Sequence, residues 1–177
     1  WSRARELPVF ADPKGRDLDR YTGATTMTPN RAELARATGV DGRDLGQLAV
    51  AGRQLADRLQ LGFLIVTLGE DGILLLDAEQ ERHVPTEARE VYDVSGAGDT
   101  VLASLAVAAA RGLDRADAVA LANLAAGITV GRAGTAPVDR GELQAAISNP
   151  SQGADGGKLG TAERVARRAI RWRDRGE

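Results

Sequence analysis

The sequence predicts an α/β fold, and three observations carry that reading. Phe63-Leu64-Ile65-Val66-Thr67 is a continuous apolar run of strand length, as a strand buried on both faces requires. Segments with apolar residues at helical spacing alternate with short strand-like runs that end in polar motifs. Finally, Arg89-Glu90-Val91-Tyr92 leads through Asp93-Val94-Ser95-Gly96-Ala97-Gly98-Asp99 into an apolar run from Thr100. That is the pattern of strand, glycine turn and buried helix.

Each element can be justified in order. Pro8 to Ala11 and Thr25 to Thr28 read as short buried strands. Asn30 caps a helix running to about Thr38, and Gly39 ends it. Leu45, Leu48, Ala51, Leu55 and Leu59 recur at helical spacing, so a second helix spans 45–59. After the apolar strand 63–67, Gly69 to Gly72 turns the chain into Ile73-Leu74-Leu75-Leu76, a β-turn-β unit. Arg82 to Val84 and Val91-Tyr92 are further short strands. Thr100 to Arg111 and Arg115 to Val130 are two Ala-rich helices whose small side chains permit close packing. Asp139 caps a shorter helix ending at Ile147.

The C-terminal part changes character. Residues 149–160, rich in Gly, Ser, Asn and Pro, have the composition of a flexible linker. Residues 161–177 form an amphipathic linker helix, with Val165, Ala169 and Trp172 on one side and many arginines on the other. The arginines Arg164, Arg167, Arg168, Arg171 and Arg173 read as a solvated face, with contact to an acidic surface as the alternative.

Composition narrows the class of function. The 177 residues are 43% hydrophobic and 27% charged, with a net charge of −2, which gives nucleic acid no basic footprint. No apolar span is long enough to cross a bilayer, and Trp1 to Arg5 lacks a signal-peptide core, so the default location is cytoplasmic. The absence of cysteine excludes disulfides and thiolate metal sites, and the single histidine, His83, excludes His-based triads.

The glycine turn carries the chemistry. Gly96 and Gly98 allow close backbone approach, and the amides of Gly96, Ala97 and Gly98 open the following helix as an anion seat. Asp99 sets a carboxylate beside that seat, where it can take the proton of an attacking hydroxyl while the amides hold a transferring phosphoryl group. Two local alternatives stand beside this. Asp99 can simply cap the helix, and Gly96-Ala97-Gly98 begins like a dinucleotide-binding turn. The second alternative fails because Val101 occupies the third glycine position. No P-loop motif occurs, and Ser95 has neither a nucleophile elbow nor a histidine partner.

The string Asp93 to Asp99, followed by Thr100-Val101-Leu102-Ala103-Ser104, resembles the C-terminal signature of the PfkB, or ribokinase-like, carbohydrate kinases. Thr28-Pro29-Asn30-Arg31-Ala32-Glu33 is similar to that family's Asn-x-x-Glu element. Thr67-Leu68-Gly69-Glu70-Asp71-Gly72 is similar to its Thr-x-Gly-x-x-Gly turn. The resemblance implies a three-layer αβα fold with a mostly parallel central sheet, of which residues 1–148 are the C-terminal part. The preceding half of such a domain, with most sugar contacts and a β-sheet lid, is expected outside this chain. A homodimer, or a complementing N-terminal half, is therefore the protein partner to consider.

A narrower resemblance rests on Val9 to Gly15, Tyr21 to Thr25 and Gly127 to Ala136. These segments are similar to the kinase part of bacterial bifunctional heptose 7-phosphate kinase/heptose 1-phosphate adenylyltransferases. Lys158 to Arg173 resembles the helix that leads into their nucleotidyltransferase part, whose HxGH-type motif this chain lacks. The implied reaction is ATP-dependent phosphorylation of a sugar hydroxyl, with D-glycero-β-D-manno-heptose 7-phosphate as preferred acceptor. A kinase for another sugar, or a non-catalytic nucleotide-binding fragment, is the alternative.

The resemblance also distributes roles. Asp99 is the implied base, with the amides of Gly96, Ala97 and Gly98 facing the migrating phosphoryl group. Asn30 and Glu33 would hold the Mg²⁺-water shell at the ATP phosphates, although the same pair is a capping box by spacing. Thr67 and Gly69 would contact nucleotide phosphates or ribose, with Gly72 serving the turn. Asn123 matches a position beside adenine, or else finds a partner that can equally be backbone. Lys14, one of two lysines in the chain, suits a phosphate contact after a strand end, or is a solvated loop lysine. Gly131 to Thr135 is similar to a monovalent-cation loop of some relatives.

Overall fold

The computed structural model describes residues 7–15, 17–86, 96–131 and 137–148. The expected strand at Val91-Tyr92, the loop at 132–136, the linker and the final helix lie outside the described residues. The chain divides into two compact units, Trp1–Pro85 and Thr86–Glu177.

The first unit is built on a five-stranded sheet in which chain order and spatial order coincide: β1 (Phe10–Ala11), β2 (Thr26–Met27), β3 (Phe63–Thr67), β4 (Ile73–Leu76) and β5 (Glu81–Val84). β1, β2 and β3 run parallel, whereas β4 and β5 return antiparallel. The sheet is therefore mixed. The two-residue β1 and β2 are extended by bonds from their flanks, with the amides of Thr25 and Thr28 donating to Val9 and Ala11 carbonyls at 2.9 and 3.0 Å.

Two helices pack on this sheet. α1 (Arg31–Thr38) begins at Asn30 and ends at Gly39, whose left-handed φ of 75° lets its amide reach the Ala35 carbonyl at 2.8 Å. α2 (Leu45–Arg58) starts at Asp44, whose side chain accepts from the Gln47 amide at 3.0 Å. The buried stripe Leu48, Leu55 and Ala56 joins Leu34, Leu64, Val66, Leu74 and Leu76 in one core. Ile65 and Leu75, on the opposite side of the pleat, are also fully buried, which explains the unbroken apolar run in β3.

Gly52 marks the closest approach of α2 to the sheet. A Cβ there would lie 2.5 Å from Leu76 Cδ1, 3.3 Å from Leu64 Cδ2 and 3.4 Å from Leu34 Cδ2. All three leucines have no exposed surface, so none has room to withdraw. The helix accepts a residue of poor propensity because a larger one overfills the core. Gly52→Val is expected to lower stability by about 1–3 kcal/mol, measured by urea unfolding.

The β4–β5 hairpin turns on Asp77. This residue is 8% exposed, and its Oδ1 accepts from the amides of Glu79 and Gln80 at 2.9 and 2.8 Å. An Asx-type turn of this kind replaces the glycine that a tighter hairpin would need.

In the second unit, α3 (Ala97–Ala110) and α4 (Arg115–Val130) form a helical hairpin, followed by α5 (Arg140–Ser148). Val101, Leu105 and Ala108 of α3, with Ala118, Val119, Ala122 and Ala125 of α4, are buried. Their small side chains bring the helices close. The Thr100 hydroxyl lies 3.2 Å from that of Thr129, joining the first turn of α3 to the last turn of α4. Among the described residues, no helix is long and apolar enough to cross a membrane.

Candidate active site

The three parallel strands of the first unit each end in a segment singled out by sequence. β1 runs into Asp12-Pro13-Lys14, β2 into Asn30, and β3 into Thr67 to Gly72. Ligands of open α/β sheets gather at that end of the strands. A parallel bridge pairs Asn30 with Thr67, and the Thr67 amide donates to the Pro29 carbonyl at 3.0 Å. The Asn-x-x-Glu turn and the Thr-x-Gly-x-x-Gly turn are thus held side by side by main chain.

Asn30 and Glu33 form a complete capping box. Asn30 Oδ1 accepts from the Glu33 amide, and Glu33 Oε2 accepts from the Asn30 amide, both at 2.8 Å. The local alternative for this pair is therefore realised, and it occupies one oxygen of each side chain. Among the described residues the second carboxylate oxygen of Glu33 accepts no hydrogen bond. No group of three or more His, Cys, Asp or Glu side chains fit to hold a metal ion occurs among them either.

Gly69 and Gly72 are both required by backbone conformation. Gly69 has φ of 67°, and Gly72 has φ of 92° with ψ of −132°, a region closed to side chains bearing Cβ. The turn is sealed by the Leu68 amide on the Gly72 carbonyl at 2.8 Å and the Gly72 amide on the Gly69 carbonyl at 3.1 Å. Gly69 is exposed, and a Cβ there would meet nothing within 4 Å.

Lys14 is exposed, and its Nζ lies 2.6 Å from Asp12 Oδ2. The loop is anchored by Tyr21, whose hydroxyl accepts from the Lys14 amide at 3.0 Å and from Arg20 at 2.7 Å. The ammonium group is thus partly neutralised by a neighbour two residues away, a pairing that strand-end position alone did not reveal.

In the second unit, the helix after the glycine turn begins earlier than the apolar run suggests. Its first residue is Ala97, and its N-cap is Gly96, left-handed at φ 81°. The first backbone bond of the helix runs from the Thr100 amide to the Gly96 carbonyl at 2.9 Å. The amides of Gly96, Ala97 and Gly98 precede it and have no intrahelical acceptor. Glycine offers no side chain to cap them, so the proposal that Asp99 is spent as the N-cap fails.

Asp99 is exposed and makes no ion pair or hydrogen bond among the described residues. Gly98 is exposed as well, and a Cβ there would meet nothing within 4 Å. Protein packing does not demand glycine at 98. Asn123, by contrast, is 6% exposed in α4, and no buried side-chain polar atom among the described residues lacks a partner.

One further group had no sequence signal. The Arg31 guanidinium pairs with the Asp71 carboxylate and donates to the Gly42 carbonyl at 3.2 Å. Both charged residues sit inside the family-like motifs, at positions left unspecified there. Forty residues separate them, so no local spacing rule reports the contact.

The family model for pfkB family carbohydrate kinases matches residues 2–140. The chain belongs to that family. The bifunctional protein HldE of Magnetococcus marinus is 48% identical over 178 residues, which covers 99% of this chain and 37% of that protein. The structure of Arabidopsis thaliana ribokinase complexed with ribose and ATP superposes with a TM-score of 0.70 at 28% identity, covering 79% of this chain and 47% of that one. Ribokinase from Thermotoga maritima gives a TM-score of 0.72 at 27% identity, covering 81% of this chain and 50% of that one. The fold is therefore ribokinase-like. The chain spans well under two thirds of the length of each of these relatives.

Proposed function

We propose that this chain carries the nucleotide-binding and proton-transfer part of an ATP-dependent sugar kinase. The observation that carries the reading is the exposed Asp99 carboxylate on the first turn of α3, beside amides that, among the described residues, neither side chain nor helix satisfies. Asp99 removes the proton of an attacking sugar hydroxyl as its oxygen bonds to phosphorus, and the proton stays on the carboxylate. The amides of Gly96, Ala97 and Gly98 accept the charge of the migrating phosphoryl group, aided by the helix dipole.

We assign Asn30, Glu33, Thr67 and Gly69, at the ends of β2 and β3, to the nucleotide phosphates, with Lys14 contributing charge; within the second unit, Asn123 is the residue we assign to adenine. Asn30 and Glu33 would hold the Mg²⁺-water shell, Glu33 through the oxygen its capping bond leaves open. The ion, when bound, supplies charge neutralisation to the phosphate oxygens. Support for ATP comes from the ribokinase at 28% identity, whose structure contains ribose and ATP.

The preferred acceptor is D-glycero-β-D-manno-heptose 7-phosphate, phosphorylated at O1 to the 1,7-bisphosphate. Similarity in Val9 to Gly15 and Gly127 to Ala136 supports this choice over other sugars. The test is ADP release by the full chain with Mg-ATP and a panel of this heptose phosphate, fructose 6-phosphate, ribose and a nucleoside. Release that depends on the heptose phosphate is expected. Faster release with another acceptor would reassign the substrate, and ATP binding without sugar-dependent release would make the chain a nucleotide-binding element only.

A further inference from the structure

We propose that Arg31 and Asp71 act as a latch that sets the distance between the two nucleotide-facing turns of the first unit, a role that rests on the kinase reading above. Arg31 is the first residue of α1, next to Asn30 and two residues before Glu33. Asp71 closes the short 3₁₀ turn that Gly69 opens. Their ion pair spans from one motif to the other, parallel to the Asn30–Thr67 main-chain bridge. With the backbone bridge at one end and the side-chain pair at the other, the turns are fixed at two points.

The latch is itself braced from both sides. Arg31 Nη1 donates to the Gly42 carbonyl in the α1–α2 connection at 3.2 Å. His83 Nε2 lies 2.6 Å from the Asp71 carbonyl, which can only accept, so the imidazole N–H on β5 holds the turn from behind. Four segments thus converge on one charge pair. A bidentate-capable guanidinium can serve two acceptors at once, which a lysine cannot do with the same planar geometry.

The energetics favour positioning over stabilisation. The two side chains are 27% and 55% exposed, and pairs of that exposure contribute little to folding. Displacement of a phosphate-binding turn by even an ångström has a large effect on ligand alignment. Loss of the pair should therefore register in polyphosphate binding before it registers in stability. Neither residue needs to touch the nucleotide for this to hold.

The test uses the full chain and its Arg31→Met, Asp71→Asn and doubly substituted variants, titrated calorimetrically with Mg-ATP and separately with adenosine. Each single change is expected to weaken Mg-ATP binding about three- to tenfold, and the double change no more than the worse single. Adenosine affinity and the thermal midpoint should stay at the parental values. Arg31→Lys, which keeps a cation for Asp71 but not the planar fork that also reaches Gly42, should recover part of the loss. Parental Mg-ATP affinity in the single variants, additive losses in the double variant, equal weakening toward adenosine, or a matching fall in thermal midpoint would each overturn the latch. Those results leave the kinase reading standing, whereas failure of the parental chain to bind Mg-ATP overturns both.

Discussion

Asp99→Asn is expected to reduce sugar-dependent turnover by about 10³-fold or more while leaving the dissociation constant for Mg-ATP within about twofold of the parental value. Asparagine keeps the size and a hydrogen-bonding side chain but cannot accept a proton at neutral pH. The side chain is exposed, lies in the first turn of α3 and is spent on no cap or ion pair among the described residues. Its replacement therefore disturbs no packing. A fall in turnover with folding and nucleotide affinity intact isolates proton transfer, because a structural defect would lower all three. The rates come from coupled ADP release and the affinity from calorimetry. Equal turnover in the variant would remove Asp99 from the chemistry.

The second large effect concerns Gly98. Alanine at this position is expected to keep or raise stability, since a helix gains up to about 1 kcal/mol when Gly becomes Ala and, beyond its own helical turn, no described residue lies within 4 Å of the new Cβ. Turnover is nevertheless expected to fall about 100-fold. The Cα–Cβ bond of a helical residue tilts toward the helix N-terminus, so the methyl group leans into the space over the amides of Gly96 and Ala97. Only a ligand seated there would register it. A thermal melt and a turnover assay on the same preparation give the two halves of the result. Unchanged turnover would mean that no group approaches these amides closely.

These paired expectations also indicate what was legible in the sequence. Asn30 and Gly39 bracket α1 because capping and left-handed φ are local properties, and both residues act as their types dictate. The apolar run 63–67 became β3 without change, since burial on both faces leaves no other pattern. The onset of α3 was less legible. Gly-Ala-Gly reads as turn chemistry, yet Gly98 is helical because tertiary packing of Val101 and Leu105 outweighs its propensity.

Within the site, spacing offered two roles for Asn30 and Glu33, and both bonds of the capping box are present. Sequence could not say which of the two Glu33 oxygens remains open, since that depends on side-chain torsions. Sequence offers Lys14 as a phosphate contact or a solvated loop lysine, whereas its ammonium pairs with Asp12 across a proline whose ring constrains the loop. Arg31 and Asp71 were passed over entirely. Their contact depends on β2 and β3 lying side by side, a fact of topology that no window of residues contains.

The central claim is that one carboxylate and a set of main-chain donors move the terminal phosphate of a nucleotide onto a carbohydrate oxygen. The most direct test is a ³¹P NMR spectrum of the full chain incubated with Mg-ATP and the heptose 7-phosphate. Equal amounts of ADP and a new sugar 1-phosphate resonance are predicted. ADP accompanied only by inorganic phosphate, or no change in the nucleotide at all, would contradict the account.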